Sequence, residues 1–80
     1  METKEITLGK PVMWMRNGVR MEDGEPFLWE VNGAEGVRIQ LHRGLEDRYY
    51  ITDEAGKVPA PEHPWYPTVE AALESIRSRH

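Results

Sequence analysis

The histidines are the first residues to consider for chemistry, because imidazole binds metal ions and transfers protons near neutral pH. His42 lies near Glu46 and Asp47, and these three side chains are the one compact set of possible cation ligands in the sequence. His63 and His80 are far from that set along the chain. Since a structural metal site usually has four ligands, the spacing predicts solvated charges at a loop and no metal.

Covalent catalysis requires a nucleophile, a neighbouring base and a group that orients the base. The chain contains no cysteine, and its only serines, Ser75 and Ser78, fall within a predicted helix. Adjacent acids such as Asp53 and Glu54 are typical of turns exposed to water. The glycines match no phosphate-binding pattern. We therefore expect a protein that is not an enzyme and that uses no cofactor.

Length and composition limit the fold and the function further. A chain of 80 residues that is 39% hydrophobic predicts a single domain, residues 1–80, with a thin core. A formal net charge of −4 disfavours non-specific attraction to nucleic acid. The first ten residues lack the hydrophobic segment of a signal peptide, and no apolar stretch is long enough to cross a membrane. These features favour a cytoplasmic protein.

Alternating apolar positions predict the sheet that would hold these side chains. The alternating residues that we expect on its inner face are Phe27, Trp29, Val31, Val37, Ile39, Leu41, Tyr49 and Ile51. Gly-containing connections between the three runs predict hairpin loops. A register that sets Ile39 opposite both Trp29 and Ile51 places these eight residues on the same face and Leu28 and Tyr50 on the outer face, whereas a shift by one residue would expose the eight.

A further hairpin is predicted upstream, where Asn17-Gly18 suits a type I′ turn between residues 12–16 and 19–21. On the face of this hairpin that joins the core we expect Val12, Trp14, Val19 and Met21. Met13 and Met15 would then point outward, where flexible thioether chains suit adaptable recognition of a partner. Alternatively, residues 1–10, an N-terminal arm or edge strand, fold across both methionines.

The period of the apolar residues changes near the C-terminus and predicts a helix over residues 68–79, with Thr68 as its N-cap. Its apolar stripe consists of Val69, Ala72, Leu73 and Ile76. Prolines in residues 59–67 predict a stiff strap that brings this helix back over the sheet. The predicted fold class is α+β, an antiparallel β-meander of four to five strands over residues 12–52 with one C-terminal helix packed on one face.

The absence of recognisable chemistry leaves surface recognition as the predicted function. Residues 21–37 carry acids and no basic residue, and clustered carboxylates can dock on a basic protein. The predicted partner-binding residues are Met13, Met15, Glu22, Asp23, Glu25, Glu30 and Glu35. We expect a small non-enzymatic protein-interaction or inhibitory module, of the kind that phages and other mobile elements encode as small acidic proteins.

The alternative prediction is a nucleic-acid-binding domain that uses the outer face of the sheet. Basic, amide and aromatic side chains there could contact phosphates and stack on bases. The residues of this alternative site are Arg38, Gln40, His42, Arg43, Arg48 and Tyr50. In shape, this sheet with one helix resembles the arm-binding domains of phage integrases, although no residue motif is shared. A homodimer formed through an exposed edge strand is a further expectation.

Overall fold

The structure is a computed structural model that describes residues 5–53 and 64–79. Its elements in chain order are β1 (Thr7–Arg16), β2 (Val19–Arg20), β3 (Glu25–Asn32), β4 (Val37–Arg43), β5 (Asp47–Asp53) and α1 (Val69–Arg79). The strands form one antiparallel sheet in the order β2-β1-β3-β4-β5. This α+β arrangement with a C-terminal helix confirms the predicted fold class.

The registers of the central hairpins follow the alternation of apolar residues. Ile39 pairs with Trp29 on one side and with Ile51 on the other, as predicted. The β3–β4 loop depends on glycine at Gly33, whose φ is 86°. A Cβ at this position would also lie 2.6 Å from the backbone oxygen of Glu5. The loop therefore tolerates no side chain at Gly33 without strain.

The hairpin formed by β1 and β2 has the predicted turn. Asn17 has a φ of 51° and Gly18 a φ of 78°, and a type I′ turn requires a positive φ at both central positions. The pairing of Arg16 with Val19 and of Met15 with Arg20 agrees with the register expected from this turn. The strand β2 has only 2 residues. It therefore covers only the last part of the outer edge of β1.

Strand β1 is longer than the sequence indicated, because residues 7–10 belong to it. It pairs with β3 from Thr7 to Met15 and lies between β2 and β3. The register shifts between Leu8 and Pro11, again between Pro11 and Met13, and again between Met13 and Trp14. Such bulges let a strand continue through Gly9 and Pro11, which on sequence grounds should break it. Residues 7–10 thus extend the strand and do not fold across the methionines.

The helix α1 covers one part of the sheet and completes the main core. The buried residues of this core are Ile6, Val31, Ala34, Ile39, Ala72, Leu73 and Ile76. The predicted apolar stripe of the helix therefore faces the sheet, and the Thr68 hydroxyl accepts a hydrogen bond of 3.1 Å from the backbone N–H of Ala71, as an N-cap does. Among the described residues, no helix has the length and apolar character needed to cross a membrane.

A second buried cluster corrects the predicted orientation of the first hairpin. It consists of Phe27, Leu41 and Leu28, the last of which we expected on the outer face. Val12 packs against it as expected, and so do Met13 and Met15, which we expected to point outward. The side chains that we expected in the core at β2 and just after it are exposed instead, Val19 by 59% and Met21 by 41%. The prediction was wrong because the register shifts in β1 change which side chains face the sheet interior, and residue spacing alone does not reveal them.

The last part of the chain is attached to the edge of β5. The backbone groups of Tyr66 and Tyr49 exchange two hydrogen bonds of 2.9 Å each. The Tyr66 hydroxyl also lies 2.7 Å from the Ser75 hydroxyl oxygen on α1. Tyr66 therefore links the sheet edge to the helix, in agreement with a strap that returns the helix to the sheet. The rest of the predicted strap, residues 59–63, lies outside the described residues.

Candidate binding cleft

Three connections lie together at one end of the sheet, which we call the distal end. They are residues 17–18, 21–24 and 44–46, brought together by the pairing of β1 with β3 and of β4 with β5. The main core beneath α1 lies towards the opposite end, where Ile6 and Ala34 are buried. The 10 residues of β1 separate these two ends by ~30 Å, at about 3.3 Å for each step between residues.

A cleft of about 760 Å³ occupies the distal end. The apolar side chains that line it are Met15, Pro26, Phe27 and Leu41. The polar and glycine residues that complete its lining are Arg16, Asn17, Gly18, Asp23, Gly24, Glu25, Gln40, His42 and Arg43. The cleft therefore combines an apolar interior with charged residues of both signs, as binding sites for other molecules commonly do.

The charged residues of the cleft form two ion pairs. A guanidinium nitrogen of Arg16 lies 3.3 Å from the Asp23 carboxylate, and the same nitrogen donates a 3.0 Å hydrogen bond to the Asp23 backbone oxygen. Arg43 pairs with Glu25 across the β3–β4 side of the cleft. All four side chains are more than half exposed. Exposed ion pairs contribute little to stability, so these residues can exchange their partners at small cost.

Apolar side chains are exposed beside the cleft. Val19 and Met21 lie along β2 and just after it, and Leu45 lies at the tip of the β4–β5 connection. The exposed fraction of Leu45 is 111%, so it packs against nothing in the fold. Single exposed apolar residues are common on protein surfaces, but several of them at the same end of a sheet as a partly apolar cleft are a feature of interaction sites.

The predicted partner-binding residues are only partly brought together. Met15, Asp23 and Glu25 line the cleft. Met13 packs against the second core cluster and is half-buried. Glu22 lies in the exposed connection at the distal end.

The remaining acids of that prediction lie elsewhere. Glu30 is on β3 opposite Arg38, and Glu35 is exposed in the β3–β4 loop, which lies at the other end of the sheet. The acids that are consecutive in sequence therefore do not form one acidic surface, because the 8 residues of β3 carry them from one end of the sheet to the other.

The alternative nucleic-acid site is assembled in part. His42 pairs with Arg48 and Gln40 with Tyr50 across β4 and β5, and the His42 and Tyr50 rings are 6.4 Å apart. However, Tyr50 is only 5% exposed and presents no face on which a base could stack. The predicted outer face thus contains a buried aromatic residue, whereas the prediction of nucleic-acid binding required an exposed one.

The basic residues of that alternative site are largely engaged within the chain. Arg43 pairs with Glu25, and Arg48 lies 3.0 Å from Glu46. Hydrogen bonding to the side chain of Tyr50, and then to Glu46, raises the pKa of Arg48. The Arg48 guanidinium carbon also lies 4.7 Å from the centre of the Trp65 ring, in a cation–π contact that the sequence did not indicate.

Arg38, the remaining basic residue of the alternative site, is half-buried and lies between Glu30 and Thr52 on the neighbouring strands. Two polar atoms near it, Gln40 Oε1 and Thr52 Oγ1, are buried without a hydrogen-bond partner. Leaving a buried acceptor unpaired costs about 1–3 kcal/mol. Gln40 also lines the cleft, so this cost falls on a residue of the candidate site.

Neither a search for metal-binding clusters nor a comparison with other proteins indicates a function for the cleft. Within residues 5–53 and 64–79, no group of three or more His, Asp and Glu side chains is arranged to hold a metal ion. Comparison of the chain with protein families, with curated proteins and with solved structures finds no match. The function is therefore argued from the geometry of the cleft.

Proposed function

We propose that this protein is a small non-enzymatic interaction module that binds a protein partner in the cleft at its distal end. The observation that carries the proposal is the exposure of Val19, Met21 and Leu45 at the end of the sheet that also holds a partly apolar cleft. Burying exposed apolar surface is the main favourable contribution to protein association. These three side chains are exposed, so a partner that covers them would bury their apolar surface.

The arrangement of polar residues supports the same proposal. Protein interfaces commonly have an apolar centre surrounded by polar residues that remain partly hydrated. Here Phe27 and Leu41 belong to the apolar lining of the cleft, and the pairs Arg16–Asp23 and Arg43–Glu25 belong to its polar lining. A partner that covers the cleft would make these ion pairs part of the interface. Occupying a partner's surface in this way is sufficient for an inhibitory role.

The nucleic-acid alternative has less support. It requires an exposed aromatic face and free cations, whereas Tyr50 is buried and Arg43 and Arg48 are paired with acids. A protein with a net charge of −4 would also have to overcome repulsion by phosphates. We therefore propose protein binding as the function, and binding of nucleic acid is an outcome that the experiment can detect.

The experiment compares capture of a partner by the wild-type protein and by variants at the two ends of the sheet. The immobilised proteins are incubated with a lysate of the source organism, and bound proteins are identified by mass spectrometry. We expect a protein captured by the wild type to be lost with Leu45→Glu and with Val19→Glu, because each places a charge at the apolar contact. Both side chains are exposed, so neither change should disturb folding.

The matched control is Glu35→Lys, which also changes the charge of an exposed residue but lies at the opposite end of the sheet. The same protein should bind this variant as it binds the wild type. Equal capture by all four proteins would contradict the proposal. Recovery of nucleic acid that is lost with Arg38→Ala but retained with Leu45→Glu would favour the alternative instead.

A further inference from the structure

We propose that the cleft also binds a second copy of this chain, in a two-fold dimer in which Leu45 of each copy enters the cleft of the other. This inference rests on the proposed function, because it assigns an occupant to the same cleft. It also implies that the dimer and any other partner compete for one surface. Three features support it: the shape of the distal end, its charge and the edges of the sheet.

Leu45 is an apolar side chain that projects from the surface and makes no contact within its own fold. It lies in the connection between Arg43 and Asp47, where turn residues are usually polar, and it is fully exposed. A Cβ added at the neighbouring Gly44 would meet no atom within 4 Å, so the connection itself stands clear of the fold. A second molecule can therefore approach Leu45 without a steric barrier from its own chain.

The projecting group and the cleft lie at the same end of the molecule, as a two-fold dimer requires. In such a dimer, a residue of one copy contacts a given residue of the other, and the reverse contact follows from symmetry. Leu45 is two residues beyond Arg43, which lines the cleft. Two copies that face each other at their distal ends can thus make two equivalent contacts between Leu45 and the apolar lining.

The charges around the cleft are compatible with a second copy. The two ion pairs contribute two cations, Arg16 and Arg43, and two anions, Asp23 and Glu25. When two such surfaces meet, each cation can face an anion of the other copy as well as its own. The whole chain has a net charge of −4 and would repel itself, but the four charged residues of these two ion pairs sum to zero.

Pairing through the edges of the sheet is less favourable than this contact. The outer edge of β1 between Thr7 and Met13 is interrupted by register shifts and by Pro11, which has no N–H to donate. At the other edge, Tyr66 already occupies the backbone groups of Tyr49. The sequence-based expectation of a dimer through an edge strand is therefore replaced here by a dimer through the cleft.

The first test measures self-association of the purified protein by sedimentation velocity between 5 and 500 µM. We expect the wild type to show a monomer–dimer equilibrium and Leu45→Ser to bind itself at least tenfold more weakly. Glu35→Ser is the control, since it also replaces an exposed side chain with serine but lies at the opposite end of the sheet. A wild type that is monomeric throughout, or a Leu45→Ser variant that dimerises as well as the wild type, would overturn the proposal.

The second test determines whether Leu45 reaches the cleft of the other copy. The chain has no cysteine, so variants with a single cysteine form disulfides only between copies. A mixture of Leu45→Cys and Met15→Cys should yield several-fold more disulfide dimer than a mixture of Leu45→Cys and Ser78→Cys. Equal yields from the two mixtures would contradict the proposed contact.

A third measurement guards against a variant that fails to fold. Amide ¹H–¹⁵N spectra of the wild type, recorded during dilution, should shift at Met15, Leu41 and Leu45 and remain constant at Glu35 and Ser78. Shifts confined to other residues would overturn the proposal. Failure of the dimer leaves the proposed function separately testable, because loss of a captured partner with Leu45→Glu does not depend on self-association.

Discussion

Arg77 on the helix holds the backbone of Ile6, which lies 71 residues earlier in the chain. Its Nε and one terminal nitrogen donate hydrogen bonds of 3.1 and 2.8 Å to the Ile6 carbonyl oxygen. The other terminal nitrogen donates to Glu70 at 3.0 Å and to Glu74 at 2.6 Å. The hydrogen bond to Glu70, followed by that to Glu74, raises the pKa of Arg77. The contact fixes the helix to the beginning of β1.

Removing this contact should loosen the attachment of the helix. We expect Arg77→Ala to lower Tm by several degrees, because it leaves the Ile6 carbonyl without its side-chain donors. Arg77→Lys should have an intermediate effect, since one ammonium cannot reproduce the planar arrangement of guanidinium donors. Thermal unfolding followed by circular dichroism measures both. A Tm of Arg77→Ala equal to that of the wild type would show that the contact adds nothing to stability.

The contact between Tyr66 and Ser75 should be worth about as much as an ordinary hydrogen bond. Tyr66→Phe and Ser75→Ala are each expected to lower the free energy of unfolding by about 1 kcal/mol. The double variant should lose less than the sum of the two, because both single changes remove the same bond. Urea unfolding of the four proteins gives the coupling energy. Strict additivity would mean that the two hydroxyl groups do not interact.

Two glycines provide a matched pair for testing backbone strain. Gly33→Ala should lower the free energy of unfolding by about 1–2 kcal/mol or more, because Gly33 has a φ of 86° and its Cβ would meet the Glu5 oxygen. Gly44→Ala should change it by at most about 1 kcal/mol, in the stabilising direction, since that Cβ would meet no atom within 4 Å. Chemical denaturation of both variants makes the comparison. If both variants were destabilised equally, the result would contradict the strained backbone conformation described for Gly33 in the β3–β4 loop.

Gln40 offers a test of whether an unpaired polar atom is kept for binding. Its Oε1 is buried without a partner, so Gln40→Met, which removes that acceptor at similar volume, should raise the free energy of unfolding by about 1 kcal/mol. If Gln40 contributes to the cleft, the same change should weaken partner capture. Urea unfolding and the capture experiment are carried out on one preparation. A destabilised Gln40→Met would contradict the absence of a hydrogen-bond partner.

The sequence was sufficient to predict the central hairpins and the helix. The registers of β3, β4 and β5 follow from alternation because the pairing of Ile39 with Trp29 and Ile51 places these apolar side chains together on one face. Asn17-Gly18 likewise determined the first turn, since few other dipeptides accept two positive φ angles. In these segments, local conformational preference and burial agree, so spacing alone indicates the structure.

The cleft could not be predicted in the same way. It depends on Met15, whose orientation is set by bulges that arise from pairing with β3. It also depends on Arg43 and Glu25, which are 18 residues apart and meet only after the sheet forms. The acids after Met21 suggested one acidic surface because they are consecutive, but the direction of β3 separates them. Pairing between distant strands therefore determines which residues meet in the cleft. The residue types determine only the chemical character of the cleft.

The position of the Arg77–Ile6 contact has a practical consequence for attaching this protein to other molecules. Ile6 and Arg77 meet at this contact, and the length of β1 places it about 30 Å from the turn at Asn17. A fluorophore or a bead attached through a cysteine at Ser78, which is exposed and next to Arg77, should thus leave the cleft unobstructed. The molecule can be anchored at one end of the sheet while the proposed binding cleft remains accessible at the other.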